Sequence, residues 1–393
     1  MSSEQVLDGY PVTRHCPFDP PAGLTKVREE QPIARMTYPD GTVGWLVTEY
    51  ALGREVFGSP LFSSRHDLRS FPVPMPLPPS KAVPGMFIGM DAPDHTRYRK
   101  PLSKAFTSRR VRDLEPQIEQ VITECLDAME AKGGPVDLMQ EFAMPVPVRV
   151  ISELLGASPD IAKELKQLRV DVLNPDIPKD QAAAASRATS ELMYALVQGK
   201  RTDPGDDLLS ELVQDGDLTD QELAGMMMLM LIAGHETTAQ LFGLSTYLVL
   251  ERDSLREAVI KGPVTDATAN EFLRYLSVAP FIVRVALEDT EIGGHKIAAG
   301  ESVTISLTAA NRDPKRFPDA DAFDVEGPES TSLAFGHGMH RCIGENLART
   351  ELRIGLPALL RRFPQLRLAA STSEIETRDA MHVYGVQKLP VTW

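Results

Sequence analysis

Helical spacing of hydrophobic residues dominates the chain after residue 95. Apolar positions recur three and four residues apart, which predicts amphipathic helices. These helices are expected at 95–107, 109–132, 137–156, 159–173, 180–201, 219–251, 252–261 and 266–277. One more is expected at 343–362, after a strand-like, turn-rich stretch at 281–306. This helix content lies well above the usual third, so the pattern predicts a mainly α fold with small sheets.

The first part of the chain has a different pattern. Residues 1–60 are expected to be extended and turn-rich, and the alternation in 42–50 (TVGWLVTEY) predicts a strand. Six prolines in 71–85 argue against a helix or a central strand. The apolar residues between them favour a semi-rigid loop over an apolar interior, with a plain surface connection as the alternative.

Composition narrows the class of protein. The chain has 41 basic and 55 acidic residues, a net charge of −14, which argues against a nucleic-acid binder or a polybasic membrane-surface protein. The three cysteines, at 16, 125 and 342, fit neither a disulfide scaffold nor a CxxC motif. We therefore expect a reducing, cytoplasmic location. Residues 1–20 contain no basic region followed by an apolar run, so we expect no signal peptide or membrane anchor.

Cys342 stands where a loop leads into the last predicted helix. The dipole and the free N–H groups of a helix start stabilise a thiolate. Gly336 and Gly344 permit tight turns and close approach of the backbone to a flat ligand, and Phe335 can pack against such a ligand. For a cysteine considered alone, the commoner alternative is a buried, inert residue.

The helix expected at 219–251 carries AGHETT near its centre. Gly234 costs the helix about 1 kcal/mol relative to alanine, which suggests that the position has a purpose. Together with Ala233 it would let a ligand lie against the backbone. Thr237 and Thr238 are expected to turn their hydroxyls back to carbonyls four residues earlier. The alternative is a core helix with incidental polar residues.

The string FGHGMHRCIG (335–344) has the spacing F-x-x-G-x-H-x-C-x-G and resembles the haem-ligand loop of the cytochrome P-450 family. The resemblance covers about residues 10–393, in variants typical of soluble actinobacterial members. It implies that Cys342 is the axial ligand of a haem b iron, a ligation that favours O–O cleavage. It also implies the cytochrome P-450 fold as a single domain, 1–393, because the motifs must meet at one haem.

Three further motifs fit this resemblance. AGHETT resembles the oxygen-binding groove of the family's distal helix, which implies that Glu236 and Thr237 form the acid–alcohol pair that relays protons. A zinc-protease HExxH motif is excluded because position 239 is alanine, and we expect His235 to be structural. EFLR resembles the family's ExxR motif, so Glu271 and Arg274 are expected to pair. In the loop 311–324, Arg312 or Arg316 is expected to complete that network.

Basic residues provide the expected contacts to the haem propionates. His95 and Arg99 fall on one face of a helix in DAPDHTRYR, which resembles the family's propionate-binding segment. By the same resemblance Arg284 and His340 are expected to serve the propionates, through charge-assisted hydrogen bonds.

A run of basic residues without an acidic one covers positions 97 to 112. It is expected either to be a solvated helix face or to dock an acidic electron donor. Arg341, Arg349 and Arg353 are expected to extend it.

The resemblance implies a haem-thiolate monooxygenase that uses O2 to hydroxylate or epoxidise a mid-sized apolar substrate, such as a polyketide, macrolide, terpenoid or xenobiotic. The length of the chain leads us to expect a separate ferredoxin and ferredoxin reductase, with NAD(P)H as electron source, and a monomer. A peroxide-driven enzyme and a non-catalytic haem sensor are the alternatives.

Pocket-lining segments are expected at 71–88, 170–185, 229–233, 278–283 and 382–386. Within and beside them the expected pocket residues are Met86, Phe87, Ile88, Leu229, Val278, Phe281, Ile282, Val283 and Tyr384.

Overall fold

The computed structural model describes residues 6–75, 80–158, 161, 164, 178–326 and 331–393. Its α-helices in these ranges are α1 (Ala22–Glu30), α2 (Tyr50–Gly58), α3 (Asp94–Ser103), α4 (Ser108–Asp113), α5 (Glu115–Lys132), α6 (Pro145–Leu154), α7 (Lys179–Thr202), α8 (Leu208–Asp215), α9 (Asp220–Leu250), α10 (Asp253–Lys261), α11 (Asp266–Leu276), α12 (Leu307–Ala310) and α13 (Glu345–Arg362). Its strands are β1 (Ile33–Thr37), β2 (Val43–Val47), β3 (Phe62–Ser63), β4 (Val136–Asp137), β5 (Phe281–Ala286), β6 (Thr290–Ile292), β7 (His295–Ile297), β8 (Ser302–Ser306), β9 (Arg367–Leu368) and β10 (Pro390–Thr392).

The long helix α9 runs through the middle of the helical region. It begins with a capping box, in which the Thr219 hydroxyl accepts from the Glu222 amide and the Glu222 carboxylate accepts from the Thr219 amide (2.8 Å). Contacts with α6, α7, α11 and α13 bury most of the helix on every side. Gly225 is required where α9 meets the proline-rich loop at 71–85, because a Cβ there would lie 2.0 Å from the Pro84 carbonyl oxygen.

A five-stranded sheet of order β1-β2-β8-β5-β3 forms the second region. The β1–β2, β8–β5 and β5–β3 pairs are antiparallel, whereas β2 and β8 are parallel and join segments far apart in the chain. Smaller sheets have the orders β4-β10-β9 and β6-β7. The strand-like stretch 281–306 thus contains β5, β6, β7 and β8, as predicted.

The mainly α expectation is confirmed, but several boundaries were wrong. Residues 1–60 contain α1 and α2 as well as strands, and α8 was not expected. These helices have eight or nine residues, and α1 buries only Leu24 and Val27, so their periodicity covers too few positions to be recognised. The helix expected at 95–107 ends at Ser103, and Thr107 caps a new helix, α4.

Two other predictions need qualification. The segment expected as a helix at 137–156 begins with strand β4 and a π-helical turn at Met139–Ala143 before α6 starts. Most of the helix expected at 159–173 lies outside the described residues. Among the described helices, none combines the length and the apolar composition that crossing a bilayer requires.

Candidate active site

Cys342 lies at the junction between a tight loop and α13. The Gly336 amide donates to the Leu333 carbonyl (2.8 Å), and the Cys342 amide donates to the Phe335 carbonyl (2.9 Å). Gly336 (φ +70°) and Gly338 (φ +74°) adopt the left-handed conformation that favours glycine. A Cβ on Gly336 would meet no described atom within 4 Å, so this glycine borders open space.

Cys342 has solvent-accessible area, but the protein packed around it still raises the pKa of its thiol by burial. The Gly344 amide and the guanidinium groups of Arg99 and Arg349 oppose this effect and lower the same pKa. Arg349 also lies 5.1 Å from the centre of the Phe335 ring. A positive ion bound at the sulfur would complete the stabilisation of a thiolate.

The ion pair expected at EFLR forms in the interior. Arg274 binds Glu271 through two hydrogen bonds of 2.7 Å, and both side chains are almost fully buried. The other guanidinium hydrogens are donated to the carbonyl oxygens of Asn311 (3.0 Å), Ala320 (2.7 Å) and Ala322 (2.9 Å). The pair therefore ties α11 to the loop at 311–322.

Asn311 carries this connection on to the cysteine loop. Its Oδ1 accepts from the Leu333 amide (2.7 Å), and its Nδ2 donates to the Ser277 hydroxyl (2.9 Å). Leu333 is also the residue whose carbonyl accepts from Gly336. A continuous chain of hydrogen bonds thus runs from the Glu271–Arg274 pair to the loop that holds Cys342.

The structure distinguishes the two arginines between which the sequence analysis did not choose. Arg312 is 1% exposed, and it donates to the carbonyls of Phe18 (2.9 Å) and Tyr275 (3.0 Å) while its guanidinium lies 3.7 Å from the centre of the Tyr275 ring. Arg316 is exposed and donates to the Thr331 hydroxyl (3.0 Å). Arg312 is therefore the arginine joined to the buried end of α11.

The centre of α9 has one accessible side. The Thr237 hydroxyl donates to the Ala233 carbonyl (3.0 Å) and the Thr238 hydroxyl to that of Gly234 (3.2 Å), as predicted. Ala233 is exposed and Thr237 half-buried, although the neighbouring turns are buried. Gly234 differs from the expectation, because a Cβ there would lie 3.3 Å from Ile151 of α6. It accommodates a neighbouring helix.

The buried His235 bonds within its own helix, to the Leu231 carbonyl. Across the described ranges, no group of three or more His, Cys, Asp and Glu side chains could hold a metal ion.

Glu236 points toward the C-terminal part of the chain. Its carboxylate binds the Arg378 guanidinium at 2.6 Å, and both side chains are nearly buried. One turn later, Gln240 accepts from the Val386 amide (2.9 Å), so this face of α9 packs against the C-terminal segment. Arg378 was not predicted from the sequence, because it lies 142 positions from its partner and belongs to no motif.

The four expected propionate donors come together. The rings of His95 and His340 lie 4.1 Å apart between their centres. Arg99 donates to the Arg341 carbonyl (2.5 Å), beside Cys342, and Arg284 is buried on β5. Three different segments thus bring two imidazoles and two guanidinium groups to one place.

This basic cluster has few acceptors. Burial, followed by Arg99, lowers the pKa of His95 to about 4; burial, followed by Arg284, lowers that of His340 to about 2. Burial also lowers the pKa of Arg284 to about 10. Both ring nitrogens of His95 and the Nε2 of His340 are buried without a hydrogen-bond partner among the described residues. Such donors suit the two carboxylates of haem b, and the accessible thiol of Cys342 suits its iron.

The expected pocket residues do not all share one side. Phe281 and Val283 pack with Tyr10, on the face of β5 opposite Ile282 and Arg284.

The other expected pocket positions also divide. Tyr384 donates to the Pro17 carbonyl (2.6 Å) and is 1% exposed. Phe281, Val283 and Tyr384 therefore pack the core around the N-terminal segment. Phe87 lies edge-on to His95, with ring centres 5.7 Å apart. The side chains of Leu229 and Val278 are buried, those of Met86 and Ile282 half-buried, and that of Ile88 exposed. Parts of the expected segments, 76–79 and 170–177, lie outside the described residues.

Comparison with known proteins gives a consistent result. Residues 136–385 match the family model described as cytochrome P-450. Cytochrome P-450 105C1 of a Streptomyces species is 42% identical over 96% of this chain and 96% of its own length. Pentalenic acid synthase of Streptomyces avermitilis is 37% identical over 98% of this chain and 97% of its own.

Solved structures agree with these relatives. The crystal structure of CYP105P1 in complex with filipin I has a TM-score of 0.91 and 39% identity, and it covers 98% of this chain and 99% of its own. That of GfsF has a TM-score of 0.90 and 37% identity, with 98% and 100% covered. The chain belongs to the cytochrome P-450 family of haem b monooxygenases.

Proposed function

We propose that this monooxygenase inserts one oxygen atom from O2 into a mid-sized apolar substrate, by hydroxylation or epoxidation, with electrons from a ferredoxin. NAD(P)H supplies the two electrons through a ferredoxin reductase, and the second oxygen atom leaves as water. The enzyme works as a monomeric single domain, 1–393, in the cytoplasm.

The observation that carries this proposal is the surroundings of Cys342. A thiol at a helix start, next to glycine-lined space and a cluster of buried basic groups, fits the thiolate ligand of a haem iron. Haem bound in this way would supply the activation of O2. His95, Arg99, Arg284 and His340 would hold its propionates, and Phe335, Gly336, Gly344 and Ala233 would contact the ring.

Thr237 and Glu236 handle protons on the distal side. The Thr237 hydroxyl donates to the Ala233 carbonyl on the accessible side of α9. There it holds a proton on the side of the helix that faces the substrate. Glu236, the adjacent residue in the helix, supplies protons to it. Arg378 acts as a positioning residue, because its guanidinium holds the carboxylate of Glu236 toward the C-terminal segment.

The docking surface for ferredoxin is smaller than the basic run in the sequence. Arg97 pairs with Glu222, Arg110 with Glu211, both Arg341 and Arg349 with Glu345, and Arg353 with Glu115. Four exposed side chains form no ion pair with a described residue: Lys100, Lys104, Arg109 and Arg112. Hydrogen bonds from Arg99 to Arg341 and from Asn346 to Phe106 keep this patch on the Cys342 side of the protein. Its charge complements an acidic ferredoxin.

The substrate class rests on the expected pocket residues other than Phe281, Val283 and Tyr384, which pack in the core. The residues that remain are Met86, Phe87, Ile88, Leu229, Val278 and Ile282. Apolar walls of this kind favour a hydrophobic ligand. Relatives include a vitamin D3 dihydroxylase and a protein bound to filipin I, in keeping with this class.

Replacement of Cys342 by serine tests the axial ligand. We expect Cys342→Ser to lose the carbon monoxide difference band of a haem thiolate, because a serine oxygen does not donate electrons to iron as a thiolate does. Cys16→Ser is the control and keeps the band, since Cys16 lies in the N-terminal segment. Persistence of the band in Cys342→Ser contradicts the assignment.

Turnover under two conditions tests the source of oxygen. With an accepted substrate, we expect product by mass spectrometry from O2, reduced ferredoxin and ferredoxin reductase, and less product from hydrogen peroxide alone. The reason is that peroxide-driven sites typically lack an intact acid–alcohol pair, whereas Glu236 and Thr237 are both present here. Efficient turnover with peroxide only indicates the peroxide-driven alternative. A spectral shift on ligand binding without any product indicates a haem sensor.

Thr237 and Thr238 provide a matched pair of variants, since each donates to a carbonyl four residues earlier. We expect Thr237→Ala to release several times more hydrogen peroxide per NAD(P)H consumed, because a positioned proton donor is lost. Thr238 is 4% exposed, and Thr238→Ala is expected to keep the ratio of the unmodified enzyme. If both variants release the same amount of hydrogen peroxide per NAD(P)H consumed, the proposed role of Thr237 is contradicted.

The docking patch is tested by charge removal. We expect the double variant Lys100→Gln/Lys104→Gln to be reduced several times more slowly by ferredoxin in stopped-flow experiments, and with a weaker dependence on salt. Lys26→Gln/Lys296→Gln removes the same charge from exposed positions elsewhere and controls for the change in net charge. Identical rates in the two double variants rule out the patch.

A further inference from the structure

Two arginines from distant segments meet at one backbone carbonyl. Arg284 on β5 donates to the Val283 carbonyl oxygen at 3.0 Å, and Arg69 donates to the same oxygen at 3.3 Å. Two guanidinium groups that share one acceptor lie side by side, and like charges at this separation repel strongly when solvent is excluded. Such an arrangement is favourable when an anion binds to both groups.

The described residues supply no carboxylate for this purpose. Arg69 has a buried Nε without a hydrogen-bond partner, and neither arginine forms an ion pair with a described residue. The nearby carboxylate of Asp91 accepts instead from the Ser63 hydroxyl (2.5 Å) and the Ser64 amide (2.8 Å). Burial, followed by repulsion from Arg284, lowers the pKa of Arg69 to about 9.

His66 extends the same cluster. Its Nε2 is buried and unpartnered among the described residues, and burial together with the charges of Arg69 and Arg284 lowers its pKa to about 4. Gly89 makes room for the ring, because a Cβ at this position would lie 2.9 Å from it. The guanidinium of Arg69 lies 4.6 Å from the centre of the Phe71 ring, which fixes its direction.

This pair is continuous with the propionate donors. Arg284 belongs to both groups, because it is one of the four expected propionate donors and shares the Val283 carbonyl oxygen with Arg69. The chain belongs to a haem b family, and haem b carries two propionate carboxylates. A propionate is therefore the anion that the resident cofactor brings to these arginines. We propose that Arg69 is a further haem-anchoring residue, which binds a propionate jointly with Arg284 while His66 donates a neutral hydrogen bond beside it.

The test measures how tightly the holoenzyme retains haem. Purified Arg69→Gln holoenzyme is mixed with excess apomyoglobin, and the transfer of haem is followed by absorbance. We expect transfer about tenfold faster than from the unmodified enzyme, the loss expected for one buried charge-assisted contact. Arg69→Lys, which keeps the charge but loses the two-pronged geometry, is expected to lie in between.

Arg65→Gln is the matched control. Arg65 lies four residues away and forms an ion pair with Asp67 at the surface, so this variant is expected to lose haem at the unmodified rate. If Arg69→Gln yields no holoenzyme, Arg69→Lys decides, and its transfer rate must exceed that of Arg65→Gln. Unchanged transfer from the Arg69 variants overturns the proposal. Binding of carboxylic-acid ligands is measured alongside, as a shift of the Soret band. If haem transfer is unchanged and this shift is smaller in the Arg69 variants, the proposal is also overturned, and Arg69 is assigned to substrate binding.

Discussion

The arrangement of the site depends on one buried ion pair. Removing Glu271 and Arg274 from water is costly, and the cost is offset only when every polar group finds a partner. Arg274 meets this condition completely: two of its five N–H groups bind Glu271, and the other three bind backbone carbonyls. Glu271 in turn accepts from the Asp324 amide (2.9 Å). The pair thereby fixes the conformation of an irregular loop. Hydrogen bonds of Asn311 and Leu333 connect this loop to the one that holds Cys342.

Charge is distributed in a way that the net value of −14 conceals. Acidic residues pair with surface arginines near α3, α9 and α13, whereas the buried basic cluster of His66, Arg69, His95, Arg284 and His340 forms no ion pair with a described residue. Inside the protein, imidazoles are kept neutral by burial and arginines remain charged, so the cluster offers both neutral and charged donors. Folding alone leaves this positive charge without a counter-charge among the described residues, and in our proposal the haem propionates supply it.

Motifs with a fixed spacing were predictable from the sequence, whereas partners from other segments were not. Residues three or four apart, such as Glu271 with Arg274 and Thr237 with Ala233, meet because helix geometry requires it. The strand alternation that turns Phe281 away from Arg284 was also readable, but the sequence does not say which face meets the pocket. Arg378 and Arg69 could not be predicted, because their contacts depend on tertiary packing between segments far apart in the chain. The short helices α1 and α2 were missed because two turns carry too little periodicity.

The first residues of the chain are held by residues near its end. Phe18 receives a hydrogen bond from Arg312, 294 positions later, and Pro17 receives one from Tyr384, 367 positions later. The parallel pairing of β2 with β8 joins Trp45 to Val303, 258 positions later. An N-terminal segment emerging from the ribosome must therefore wait until these distant partners have been synthesised. Contacts of such long range slow folding and leave apolar surface uncovered in the meantime, which favours aggregation of the nascent chain.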